Sequence, residues 1–116
     1  MLIKVDLTAK EPLADQIAGQ IRAAVASGTV KGGDRLPPAR ELASGLGVNM
    51  HTVLRAYAAV RDEGLIELRR GRGATVSHNA TPATGRMAEL VRELLAEGRR
   101  LGMSAEEVAD LLRRTS

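Results

Sequence analysis

The chain contains no cysteine, so neither disulfides nor thiolate metal ligands are available to it. Tryptophan and phenylalanine are absent as well, and the one aromatic side chain is Tyr57. Proteins that stack on single-stranded bases use several aromatic faces, so this composition argues against RNA-binding modules of that type. Only two histidines occur, His51 and His78, too few to suggest the three or four ligands a metal site needs. No serine is flanked as Gly-x-Ser-x-Gly, no phosphate loop is present, and Gly71-x-Gly73 is too short for a dinucleotide fingerprint. No catalytic residue, metal site or cofactor is therefore expected, and the chain is not read as an enzyme. There is no run of ~18 apolar residues that could span a membrane. The charges of Lys4, Asp6, Lys10 and Glu11 break up any secretory leader. A cytoplasmic location is the simplest reading.

What is present is a chain of 116 residues, 44% apolar and 27% charged, with room for one domain and an appendage. Its charge is unevenly placed. Residues 1–77 hold 11 basic and 8 acidic side chains, whereas residues 78–116 hold 6 of each, so the whole net charge of +3 lies in the first part. Arg69, Arg70 and Arg72 fall together with no acid among them.

Leu2–Leu7 alternates apolar and polar residues, as a short strand or a loosely held arm would. Pro12 opens a helical pattern in which Leu13, Ile17, Ile21 and Val25 share one face, and Gly28 can stop it. Lys31–Asp34 reads as a turn. A second, short helix is expected over Pro38–Leu46, ended by Gly47. Asn49 is a suitable N-cap for a third, whose buried stripe runs through Val53, Tyr57 and Val60 to the stop at Gly64. The two helices around Leu46-Gly47-Val48-Asn49 form a helix-turn-helix candidate. Strand-like runs over Leu65–Arg69 and Ala74–Ser77, separated by Arg70-Gly71-Arg72-Gly73, predict a hairpin. The expected fold is thus mostly α with a small β-hairpin wing. The winged helix-turn-helix spans residues 1–77, a linker 78–85, and a two-helix dimerisation tail 86–116. In the tail, Met87, Leu90, Val91, Leu94, Leu95 and Leu101 form an apolar stripe. Ser104 and Glu107 form a capping box, and Val108, Leu111 and Leu112 give the last helix an apolar face.

The face of the third helix opposite its stripe carries His51, Arg55, Ala58 and Asp62. An α-helix fits the major groove of duplex DNA and meets base edges with its first turns. His51 and Arg55 lie one turn apart there, and Asn49 and Thr52 can donate to phosphates. A solvated helix face has the same pattern. The arginine hairpin sets Arg70 and Arg72 on a thin tip suited to the minor groove; a basic surface turn would look alike. Arg40 lies in the first turn of the second helix, facing either a phosphate or an ion-pair partner such as Glu41 or Asp34. A 39-residue tail cannot fold alone, so its stripe must be covered by a symmetry mate or by the first helix, and the two are compatible. Three functions are open on this pattern: a regulator of a duplex operator, a winged helix that binds an acidic protein partner, or an architectural DNA binder without operator preference.

The joint order of several motifs resembles the GntR family of bacterial regulators. They are Pro12-Leu13-x-x-Gln16-Ile17, Gly33-Asp34-Arg35-Leu36-Pro37-Pro38-x-Arg40-Glu41-Leu42-Ala43, Leu46-Gly47-Val48-Asn49-x-x-Thr52-Val53, Arg55-Ala56-Tyr57, Glu63-Gly64-Leu65-Ile66 and Arg70-Gly71-x-Gly73-x-Thr75-Val76. The Val48-Asn49 and Arg55-Ala56-Tyr57 wording, with so short a tail, is similar to the YtrA-type subfamily. The resemblance implies a homodimeric repressor of a palindromic operator, often one controlling transporter genes, whose short helical tail replaces an effector domain. It implies DNA contacts at Arg40, at Asn49, Met50, His51 and Thr52, and at Arg70 and Gly71. Many relatives carry arginines where this chain has Met50 and Leu54, so the base preference of relatives does not carry over, and Leu54 or Met50 is expected to meet thymine methyls instead. A small-molecule effector, for which the residues name no chemistry, would have to bind in the dimer cleft or near the linker.

Overall fold

The computed structural model describes residues 1–116. The helix-period stripes become α1 (Leu13–Ala26), α2 (Ala39–Leu46) and α3 (Met50–Asp62). The hairpin becomes β1 (Ile66–Arg69) and β2 (Gly73–Val76), and the tail becomes α4 (Pro82–Arg100) and α5 (Ala105–Thr115). This is a winged helix, mostly helical with one two-stranded antiparallel sheet. Pro12 and Pro38 are N-caps rather than first helical residues, each with extended ψ, so α1 and α2 start one residue later than their prolines suggest. Gly47 closes α2 in the left-handed region at φ 69°, which a side chain would resist. Asn49 caps α3 by accepting from the backbone N–H of His51 at 2.7 Å.

The core lies between α1, α3 and the wing. Ile17, Ile21 and Val25 of α1 meet Val53, Tyr57 and Val60 of α3, with Leu65, Ile66 and Val76 closing the end; all are almost wholly buried. Each such side chain contributes roughly 1.5–3 kcal/mol by leaving water. The Tyr57 hydroxyl donates to the Pro37 carbonyl at 2.5 Å, tying α3 to the segment before α2. Arg22 of α1 grips Glu63, the C-cap of α3, through two parallel bonds of 2.6 and 2.7 Å. Removing one partner would leave a buried charge uncompensated, at a cost on the order of 3 kcal/mol.

Leu2–Leu7 is an arm without strand pairing. Two glutamines of α1 take the place of a neighbouring strand: Gln20 Oε1 accepts from Lys4 N–H at 2.9 Å and Gln16 Oε1 from Asp6 N–H at 2.8 Å. Their amide groups donate back to the Lys4 and Asp6 carbonyls, and Ile3 is drawn into the core.

The 78–85 linker is shorter than its composition suggests. Thr81 and Thr84 form a reciprocal capping box, with Pro82 at the first helical position, so residues 82–85 are already the first turn of α4. Gly85 sits directly on α1, where a Cβ would come 2.6 Å from the Ala26 nitrogen. Ala88, one turn on, joins the core. Val108, expected on the dimerisation face, is instead buried within the tail, its methyl in the space left bare by Gly98. It locks α5 onto α4. The Ser104–Glu107 box forms with bonds of 3.0 and 3.1 Å. No helix is long and apolar enough to cross a membrane.

Candidate nucleic-acid interface

Three elements position the sequence-predicted basic residues. Arg40 is exposed on the first turn of α2 and takes part in no ion pair with Glu41 or Asp34. On α3, Asn49, His51 and Arg55 are exposed, joined by Leu54, which is 39% exposed despite its apolar side chain. Two other expected contacts lie elsewhere. Thr52 is buried, and Met50 is half-buried and packed against the core. Thr52 lies on the flank of α3 that the start of α1 covers, a neighbour that helical spacing alone does not reveal. Arg55 lies at the edge of that flank, in a groove shared with Thr52 and the first turn of α1 including Asp15.

The wing is built by register. Ile66 faces Val76 and Leu68 faces Ala74 across the strands, and Ile66, Ala74 and Val76 are buried. The hairpin is anchored to the chain before α2, since Leu36 N–H donates to Ala74 O at 2.9 Å and Val76 N–H to Asp34 O at 2.8 Å. Gly71 and Gly73 have φ of 77° and 72°, so the turn needs glycine at both places. Arg70 and Arg72 are exposed around it without carboxylate partners. Arg69 differs, because its guanidinium pairs with Glu67 at 3.0 Å and is partly neutralised.

The tail exposes its stripe. Met87, Leu90, Val91, Leu94, Leu101, Leu111 and Leu112 are among the exposed large apolar side chains, and Leu95 is half-buried. Met87, Val91 and Leu95 border an open groove of about 420 Å³ with Glu63 and Arg92, where α4 passes the end of α3. Thus the first two turns of α4 belong to the N-terminal core and the remainder presents an uncovered apolar surface. No cluster of three or more acidic or histidine side chains is placed to hold a metal ion.

Residues 13–76 match the model of the family described as bacterial regulatory proteins, gntR family. The HTH-type transcriptional repressor YtrA of Bacillus subtilis is 33% identical over 120 residues, covering 99% of this chain and 92% of the relative. The solved structure of YtrA from Sulfolobus acidocaldarius, a GntR-family transcription factor, is 39% identical with a TM-score of 0.63, over 97% of this chain and 95% of that one. The AraR DNA-binding domain, solved in complex with operator ORX1, shares the fold at 22% identity and a TM-score of 0.59, over 66% of this chain and 99% of that one. The family match, the nearly full-length kinship and the winged architecture agree: this chain belongs to the gntR family of bacterial regulatory proteins, as a transcription regulator of DNA-binding winged helix-turn-helix build and not an enzyme.

Proposed function

We propose that the chain acts as a homodimeric repressor on a palindromic operator. In this reading α3 enters the major groove, with Asn49, His51, Leu54 and Arg55 toward the base edges and Leu54 against thymine methyls. Arg40 takes a phosphate at the groove mouth, and the wing carries Arg70, Gly71 and Arg72 into the flanking minor groove. Met50 and Thr52 support the start of α3 from the core side. The observation that carries the reading is an exposed, cation-bearing start of α3 in the same chain as an exposed arginine hairpin. The AraR domain, of like fold, is bound to an operator, and the Bacillus subtilis relative is a repressor.

The pairing of two copies rests on the apolar stripe of α4 and α5. A second copy related by two-fold symmetry would bury the same patch on both chains and hold two copies of α3 a fixed distance apart, as a two-fold site requires. Repression follows from occupying a promoter, and transporter genes are the target class that the resemblance to the YtrA-type subfamily implies. Selection from a pool of random duplexes tests the reading. An enriched inverted repeat is the expected product; recovery of no motif would leave an architectural binder, and binding to protein but no duplex would leave an interaction module.

A further inference from the structure

The outer face of the wing lies beside the interface above and shares only Arg72 with it. Strand alternation turns Glu67 and Arg69 of β1 and Thr75 of β2 away from buried Ile66, Ala74 and Val76. Thr75 lies opposite Glu67 on one side and bridges to Arg35 on the other, so three neighbouring segments put polar side chains on one surface. The position across from Arg69 is Gly73, which has no side chain. Gly33, two residues before Arg35, is bare too, and a Cβ there would come within 3.4 Å of the His78 ring. These gaps leave a recess of about 190 Å³ whose lining contains no apolar residue.

Its charge is lopsided. Arg35, Arg69 and Arg72 line it against the single carboxylate of Glu67. That carboxylate is engaged with Arg69 at 3.0 Å, while Arg35 and Arg72 have no ion-pair partner within 4.0 Å. The hydroxyl of Thr75 and the imidazole of His78 add hydrogen-bond donors on the same wall. A compact oxyanion with several acceptor oxygens satisfies such a set, and guanidinium groups match phosphate geometry in particular. We propose that this recess is a phosphate-binding site, with Arg35 and Arg72 supplying charge and Thr75 and His78 supplying further hydrogen-bond donors. On the reading of the chain as a duplex binder, on which this source rests, the phosphate belongs to the DNA backbone beside the wing. A free phosphate-bearing small molecule presents the same oxygens.

Two arms separate the sources. In the first, the ¹⁵N-labelled full chain is titrated with inorganic phosphate against sodium chloride of equal ionic strength. Saturable shifts at Gly33, Thr75 and His78, absent in Arg35→Gln and in Arg72→Gln, support the site. Both side chains are exposed, and an unchanged spectrum elsewhere shows that each variant folds. In the second arm, affinity for the duplex recovered by selection is followed with salt for the wild type and Arg35→Gln. A slope shallower by about one, the release expected from one lost phosphate contact, assigns the site to the DNA backbone. Phosphate-specific shifts with an unchanged slope assign it to a free phosphate ligand. No phosphate-specific shift together with an unchanged slope overturns the proposal, while tight duplex binding in the same experiment leaves the operator reading intact. If the wild type binds no duplex, that reading fails, and the titration alone decides the recess.

Discussion

Replacing Gly85 with alanine should weaken the fold even though alanine is the better helix former. The new Cβ would lie 2.6 Å from the Ala26 nitrogen, 2.9 Å from the Ala26 Cα and 2.9 Å from the Val25 Cγ1. Two of these atoms are backbone and cannot rotate aside. Comfortable carbon contacts are ~3.5–4.0 Å, so α4 must back away from α1 by on the order of 1 Å. Overpacking of this kind costs roughly 1–3 kcal/mol, while helix propensity returns up to ~1 kcal/mol. The expected net loss is about 1 kcal/mol. Gly19, on α1, is the matched control, since a Cβ there meets nothing within 4 Å. Its alanine variant should gain roughly 0.5–1 kcal/mol. Urea unfolding of the two variants beside the wild type reads the contrast directly. If Gly85→Ala proves as stabilising as Gly19→Ala, the close seating of α4 on α1 is wrong.

The remaining predictions touch the dimer, the lone tyrosine and the DNA face. Leu90→Lys with Leu94→Lys alters side chains that are 42% and 37% exposed in one chain, so the fold should survive while sedimentation shifts from dimer to monomer; an unchanged dimer would place the interface elsewhere. Burial pushes the Tyr57 hydroxyl up to about 12, above the ~10 of an unfolded chain, so the folded state favours its protonated form. That contribution is complete below about pH 10 and is lost as pH rises through about 12, a fall on the order of 2–3 kcal/mol. Denaturant midpoints should show the fall in the wild type, and Tyr57→Phe should lack it. Arg40→Ala and Arg70→Ala should each weaken duplex binding by roughly 1–3 kcal/mol, measured by fluorescence anisotropy; wild-type affinity in both would remove them from the interface.

The parts of the fold that announce themselves in sequence are those with periodic or conformationally special residues. The stripe Val53, Tyr57 and Val60, the Asn49 cap and the left-handed Gly47 each carry a local signal, and α2, α3 and the turn between them lie within a residue of it. The start of α4 was hidden because Thr84, rather than a glutamate or glutamine, completes its capping box. Its docking on α1 was hidden for another reason. Gly85 and Ala88 achieve contact by being small, which leaves no mark in an apolar pattern. Thr52 and Met50 show the same limit at the candidate interface. A helical wheel separates two faces, but it cannot say which flank a third element covers. Arg35 carries no local signal of its position, because its place on the wing depends on pairing with Thr75, forty residues away in the chain; the buried Leu36 beside it is the one local hint of its outward direction.

The central claim, two cationic heads clamped on one duplex, is tested most directly by binding isotherms over a salt series on the selected inverted repeat. With about 6–10 phosphates engaged per dimer, affinity should fall by ~10³ or more between about 50 and 200 mM salt. An affinity that stays level over that interval would contradict the account.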